Sequence, residues 1–339
     1  MDSAQDSKIS LKQKILSSSI TAEIKEKLTG LLQTPGTGIE LEKLISYINF
    51  SLSLPFGKFS QDILDLNRAK QILDKNHYGL QGVKERILEY LSVLILQKKQ
   101  VSPNQIHAPI LLFVGLVGTG KTSLAYSIAE SLGRKIIRLP FGGLGEVAMI
   151  RGQSRLIAEA EPGLIVKGIK EAGVANPVIL LDEIDRVAEN SRFDIMGILV
   201  ELLDPAQNNH FIDHYLDFPV DLSQVLFVAT ANNTTNLATA VLDRLEPIQM
   251  PIYSDQEKIM IGKNYLLPQI TKESGVGQQL AIDDTVWPQI IRPLGYDGGI
   301  RSLSRTLATI ARKVAKEIVE GKSGPFKITS QNVGEYLGV

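Results

Sequence analysis

The sequence predicts an α/β fold: a parallel sheet flanked by helices, with a short helical arm before it and a small α-helical unit after it. Three observations predict this. Apolar runs at residues 110–114, 135–139, 178–181, 225–230 and 248–252 alternate with helical stretches, the pattern of strands joined by helical crossovers. Between the first run and the next helix lies G-x-x-x-x-G-K-T, from Gly115 to Thr122. From Tyr253 onward the apolar spacing turns wholly helical.

Composition bounds what such a fold can do. The 339 residues, 44% of them hydrophobic, suffice for two or three units with a sizeable core. With 36 basic and 37 acidic residues the chain is near neutral, so bulk charge gives no reason to expect nucleic acid or an anionic membrane as a partner. There is no cysteine, which excludes disulfides and thiolate chemistry and suits a reducing compartment. The first ten residues are polar, and the longest apolar runs, 91–96 and 110–116, are too short to span a bilayer. A soluble cytoplasmic protein is the expectation.

Taken in order, residues 8–50 carry short helical signals. Leu11, Ile15 and Leu16 share one face, and Ile24, Leu28, Leu31 and Leu32 another; after a break at 34–38, Leu41, Leu44, Ile45 and Ile48 make a third. This is the arm, residues 1–54. Two helices follow, one with Ile63, Leu66, Ala69, Ile72 and Leu73 on a face, the other with Val83, Ile87, Leu91, Leu94 and Ile95. The loop between them holds Asn76, His77, Tyr78 and Gly79, and His77 alone reads as an ordinary solvated histidine. Residues 101–108 read as a polar linker into the first strand. The α/β unit, 55–252, gives way to a closing unit, 253–339. There Leu303, Leu307, Ile310, Val314 and Ile318 form the stripe of a long helix opened by Gly298, Gly299, Ile300 and Arg301.

Each residue type in the glycine-rich stretch has a task toward a polyphosphate. Gly115, Gly118 and Gly120, with Thr119 among them, let the backbone turn tightly and aim its N–H groups inward. The helix opening at Lys121 adds its positive N-terminal end. Lys121 is placed to neutralise the β- and γ-phosphates of ATP, and the Thr122 hydroxyl to hold Mg²⁺. A plain glycine turn is the competing reading, and the strand before and helix after argue against it. The run 178–181 ends in Asp182 and Glu183. Asp182 is the expected Mg²⁺ ligand, direct or through water, and Glu183 the group that polarises the water attacking the γ-phosphate; the alternative is a solvated acidic turn. Asn232, at the end of another apolar run, could reach the γ-phosphate or the same water, although an Asn after a strand is usually a turn residue. Arg244 on its own reads as a surface salt-bridge residue.

Beyond these motifs, residues 74–80, 83–91, 176–185, 213–216 and 227–232 resemble the ATPase module of the Lon protease family, which is AAA+ in type. The resemblance spans roughly residues 41–337. It implies a P-loop AAA+ α/β domain followed by a small α-helical lid domain, assembled as a homo-oligomeric ring, usually a hexamer. On the matching positions it implies that Tyr78 and Gly79 line the adenine pocket, that Asn232 is the first sensor and that Arg301 is the lid sensor. Arg244 becomes the arginine finger that reaches a neighbouring subunit's nucleotide.

The sequence departs from the family in three places. Leu116 and Val117 stand where two prolines are usual, which changes loop stiffness more than chemistry. By the resemblance, Ile157 falls at the substrate-pore position where the family commonly has a gripping tyrosine, with less area to push on a chain. Glu161 replaces an apolar residue and adds negative charge near the pore. The sequence ends about where the family's serine–lysine peptidase would begin, so peptide hydrolysis is not expected of these residues and a separate peptidase is an open partner. The expected function is Mg²⁺-dependent ATP hydrolysis in a ring that unfolds or translocates a polypeptide substrate. A nucleotide-gated scaffold that threads little substrate is the competing reading; a DNA-associated ATPase is the third, weakened by the absence of a basic run.

Overall fold

The computed structural model describes residues 2–33, 38–100, 109–291 and 298–337. The expected break at 34–37 and linker at 101–108 lie outside them. Three helices form the arm: α1 (Asp2–Ser17), α2 (Ala22–Gln33) and α3 (Ile39–Ser53). Ile15, Leu28 and Ile48 are fully buried where they meet, and the same core continues onto one face of the sheet. Helices α4 (Leu66–Asn76) and α5 (Gln81–Gln100) follow. The start of α4 is set by Asp65, whose carboxylate accepts from the N–H groups of Asn67 and Arg68 at 2.9 and 3.2 Å, a capping arrangement. Ile63, expected on the face of this helix, therefore stays outside it; its N–H donates to the Leu132 carbonyl at 3.0 Å.

The central unit comprises β1 (Ile110–Val114), α6 (Lys121–Leu132), β2 (Ile136–Pro140), α7 (Val147–Arg151), α8 (Leu164–Ala172), β3 (Val178–Asp182) and α9 (Arg192–Leu203), then β4 (Phe211–Asp213), β5 (Phe218–Val220), β6 (Leu226–Ala231), α10 (Thr239–Leu242) and β7 (Leu245–Gln249). Five strands pair in parallel in the order β2-β3-β6-β1-β7. Leu112 and Val114 face one core, with the arm, while Leu111 and Phe113 face the other, with α5 and α6, which is why the strands read as continuous apolar runs. The last strand falls earlier than expected: β7 pairs from Leu245, Met250 makes a final N–H bond to the Val114 carbonyl, and Pro251 has no N–H to continue the ladder. The antiparallel pair β4–β5 escaped the sequence reading because its strands are three residues long. The sheet order has one consequence for function. Because β6 lies between β1 and β3, their three carboxyl ends converge, the usual ligand position in such sheets.

The closing unit holds α11 (Asp255–Ile261), a π-helical turn (Gly262–Leu266), α12 (Leu267–Glu273), β8 (Leu280–Ile282), α13 (Trp287–Ile291), α14 (Arg301–Val319), β9 (Phe326–Ile328) and α15 (Val333–Leu337). Trp287, Leu307, Ile310 and Val314 are at its core. It is not wholly helical as expected: β8 and β9 pair in parallel, and both are too short for a period-two pattern to register.

Candidate nucleotide site

The phosphate loop joins β1 to α6. Gly118 and Gly120 have φ of +82° and +95°, the left-handed region that glycine enters without a Cβ clash. Thr119 is buried and its hydroxyl donates to the Leu116 carbonyl at 2.8 Å, so its side chain shapes the loop. Lys121 sits inside the turn. Its Nζ donates to the carbonyls of Gly115 and Leu116 at 2.6 and 3.0 Å and to Asn232 Oδ1 at 3.2 Å. Burial lowers its pKa, against the opposing pull of Asp185, Glu183 and Asp182.

Asp182 closes β3 and is almost fully buried. Its Oδ1 accepts from the hydroxyls of Thr230 and Thr122 at 2.5 and 3.4 Å. Its Oδ2 accepts from Arg138 Nε at 2.7 Å and Nη2 at 2.6 Å. Glu183 has φ of +57°, a region few non-glycine residues occupy. Its N–H donates to the Thr230 hydroxyl at 2.9 Å, so one threonine on β6 fixes both acidic residues. The turn sends the Glu183 carboxylate over Gly142, where an added Cβ would come within 2.9 Å of Oε2. Asn232 completes the cluster from the end of β6. Its Nδ2 is buried without a hydrogen-bond partner among the described residues, a donor whose burial costs free energy unless something accepts from it.

These groups suit Mg²⁺ and a polyphosphate. Thr122 and Asp182 offer hard oxygen ligands on one spot, Lys121 supplies the cation, and the Asn232 amide lacks an acceptor. No cluster of three or more His, Cys, Asp or Glu able to bind a metal exists among the described residues. The closing unit meets the same loop. Ile300 N–H donates to the Gly118 carbonyl at 3.0 Å and the Tyr253 hydroxyl to the Thr119 carbonyl at 3.2 Å. A Cβ on Gly299 would lie 2.3 Å from the Val117 carbonyl oxygen, so only glycine admits this approach. Arg301, the exposed first residue of α14, lines a cavity of about 340 Å³ with Lys121, Thr122, Asp182 and Glu183.

Beside it lies a second cavity, about 550 Å³, lined by His77, Tyr78, Tyr126, Tyr253 and Tyr265. Gly79 turns the chain here with φ of +64°, against Glu257. His77 is not the solvated histidine expected. It is 7% exposed, its Nε2 is 2.9 Å from the Ser127 hydroxyl, and its carbonyl accepts from Lys84 Nζ at 2.7 Å. Burial, then the Lys84 charge, pushes its pKa down to about 4, so the ring is neutral and anchors the Tyr78 turn to α6. A lone histidine gave no sign of this in the sequence; the burial comes from long-range packing.

Two candidates lie away from this cluster. Arg244 Nη2 pairs with Asp204 Oδ2 at 2.8 Å and Nη1 donates to the Ala240 carbonyl at 2.7 Å. Ile157 lies in the loop between α7 and α8, 56% exposed beside Leu156 at 91%, on a groove of about 560 Å³ that α3 also lines. The loop is held at its base by Asp213, which accepts from the Gly163 N–H at 2.8 Å, and Arg155 stacks on the Tyr47 ring at 4.7 Å. Glu161 does not present a bare charge: Lys167 Nζ lies 2.5 Å from its carboxylate, and that bond lowers its pKa.

Residues 111–251 match the AAA family, the ATPases associated with various cellular activities, and residues 272–326 match the Lon protease AAA+ ATPase lid domain. The chain is 43% identical over 325 residues to the Lon protease of Lawsonia intracellularis, covering 96% of this chain and 38% of that protein. It is 42% identical over 321 residues to the Lon protease of Halothermothrix orenii, with 94% and 40% covered. With Lon protease 2 of Thermus thermophilus it shares 40% over 326 residues, with 94% and 40% covered. The chain thus spans about two fifths of these relatives' length. No helix among the described residues is long and apolar enough to cross a membrane. With an AAA domain followed by a Lon lid domain, the chain is an AAA ATPase module of the Lon protease type.

Proposed function

We propose that this chain is a Mg²⁺-dependent ATPase that works in a homo-oligomeric ring, a hexamer, to unfold or translocate a polypeptide. The observation that carries the reading is the convergence of Lys121, Thr122, Asp182, Glu183 and Arg301 on one cavity, with Asn232 beside it, its Oδ1 bonded to Lys121 and its Nδ2 without a partner among the described residues. Lys121 neutralises the β- and γ-phosphates, and backbone N–H groups of Gly118, Gly120 and Lys121 cradle them; the Gly115 N–H, expected to join them, instead donates to the Ala231 carbonyl at 3.2 Å. Thr122 and Asp182 would hold Mg²⁺, which when bound offsets charge on the phosphate oxygens. Glu183 takes the proton of the attacking water, and Asn232 donates to the γ-phosphate or to that water. Tyr78 and Gly79 border the cavity taken by the adenine. Arg301 reaches the phosphates from the lid, and Arg244 reaches the nucleotide of the next subunit.

The substrate path runs past Ile157, whose exposure and position on an open groove support it. A motor of this kind would pass the chain it unfolds to a separate peptidase. The replacement of an aromatic ring by Ile157 favours a second reading, a nucleotide-gated scaffold that threads little. ATP turnover with and without a denatured protein separates them. A motor turns over faster when the denatured chain is present; turnover that does not respond to it selects the scaffold.

A further inference from the structure

Arg138 makes the closest charged contact in the site. It projects from β2, the edge strand, and its Nε and Nη2 both bond to Asp182 Oδ2, at 2.7 and 2.6 Å. The hydroxyls of Thr230 and Thr122 occupy Oδ1. The carboxylate expected to hold the metal is therefore satisfied on both oxygens by this chain's own donors. The two ends of the ion pair differ in freedom. The Asp182 side chain is 5% exposed and pinned by Thr230, whereas the Arg138 side chain is 54% exposed, on a long flexible stem that can leave at small cost.

A guanidinium and a divalent cation compete for the same oxygen lone pairs, and two cations on one carboxylate repel each other. We propose that Arg138 is a positioning residue that holds Asp182 in the metal-free site and is displaced from Oδ2 by the cation, so that it sets the Mg²⁺ concentration needed for tight nucleotide binding. This rests on the nucleotide reading above. Arg138 keeps the buried carboxylate paired and correctly turned while no metal is present, so Asp182 need not rotate away. The cost is a raised Mg²⁺ requirement.

The test is binding of a fluorescent ADP analogue to the whole chain, titrated with Mg²⁺ and repeated in EDTA, for the parent, Arg138→Met and Arg138→Lys. Met keeps the length of the stem without charge; Lys keeps a charge with a single-point contact. Arg138→Met is expected to lower the half-saturating Mg²⁺ at least fivefold while affinity in EDTA stays within twofold, with Arg138→Lys between it and the parent. A half-saturating Mg²⁺ that is unchanged or raised in both variants overturns the proposal, because Arg138 then does not compete with the metal. A matching loss of affinity in EDTA also overturns it, since Arg138 would then be touching the phosphates. If the parent binds no nucleotide in either condition, the nucleotide reading itself falls, a result distinct from the other two.

Discussion

Lys121 and Asn232 meet across the convergent strand ends, with Nζ 3.2 Å from Oδ1, and the pairing leaves the Asn232 Nδ2 buried without an acceptor among the described residues. The amide is thus oriented by Lys121, with its donor end left for another group. Asn232→Ala removes one aimed donor and is expected to lower kcat by about 10²- to 10³-fold, as for other preorganised donors. Nucleotide affinity is expected to change far less, because Lys121 and the loop remain. Equal losses in kcat and affinity would mean that Asn232 merely supports the loop.

Arg244 faces Asp204 within its own chain, and that hydrogen bond lowers the Asp204 pKa. If Arg244 acts on a neighbour's nucleotide, specific activity rises with protein concentration as rings form. Arg244→Ala and Glu183→Gln proteins, each inactive alone, recover hydrolysis on mixing, because one interface then pairs an intact Glu183 with an intact Arg244. A rate per subunit that stays flat down to monomeric concentrations rules out the role in trans.

At the groove, Ile157 is exposed, so a larger side chain meets solvent or substrate and does not overpack a core. Ile157→Tyr adds ring area for gripping a chain and is expected to raise the amount of folded test protein unfolded per ATP consumed. A lowered melting temperature with no gain per ATP would instead identify Ile157 as a packing residue, overpacked at about 1–3 kcal/mol.

His77 gives a pH dependence with a definite sign. Its pKa falls from 6.5 to about 4 on folding, so between those values the unfolded chain binds the extra proton. Stability is therefore undiminished above pH 6.5 and falls as the pH drops toward 4, by up to about 3 kcal/mol from this group. His77→Gln can still bond to Ser127 and does not titrate. Melting temperatures between pH 7 and 4.5 are expected to decline less steeply for the variant; identical slopes would remove His77 as the cause.

The glycine-rich loop and the acidic pair were legible in the sequence because their pattern is local: closely spaced glycines, a lysine at a helix start, carboxylates at the end of an apolar run. The sheet was legible for a similar reason, since strands buried on both faces leave unbroken apolar runs, as in Val178–Asp182. What stayed hidden depends on distant partners. Arg138 looks like any polar residue on an edge strand until β3 brings Asp182 beside it, and His77 looks solvated until Ser127 covers it. Thr230 bonds to Asp182 and supports Glu183 from a different strand, a link that no spacing along the chain encodes. The three-residue strands β4, β5, β8 and β9 are shorter than the patterns that reveal strands.

The central claim is that Lys121 binds and Glu183 hydrolyses at one ATP site, and two variants measured side by side test it most directly. ATP affinity and ATP turnover are determined for the parent, Lys121→Ala and Glu183→Gln. Lys121→Ala is expected to lose tight binding, because the flexible cation on the β- and γ-phosphates is gone. Glu183→Gln is expected to bind ATP as the parent does and to hydrolyse it at least 10²-fold more slowly, because the amide matches the carboxylate in shape and cannot accept a proton. Turnover by Glu183→Gln at the parent rate, or tight ATP binding by Lys121→Ala, would contradict the account.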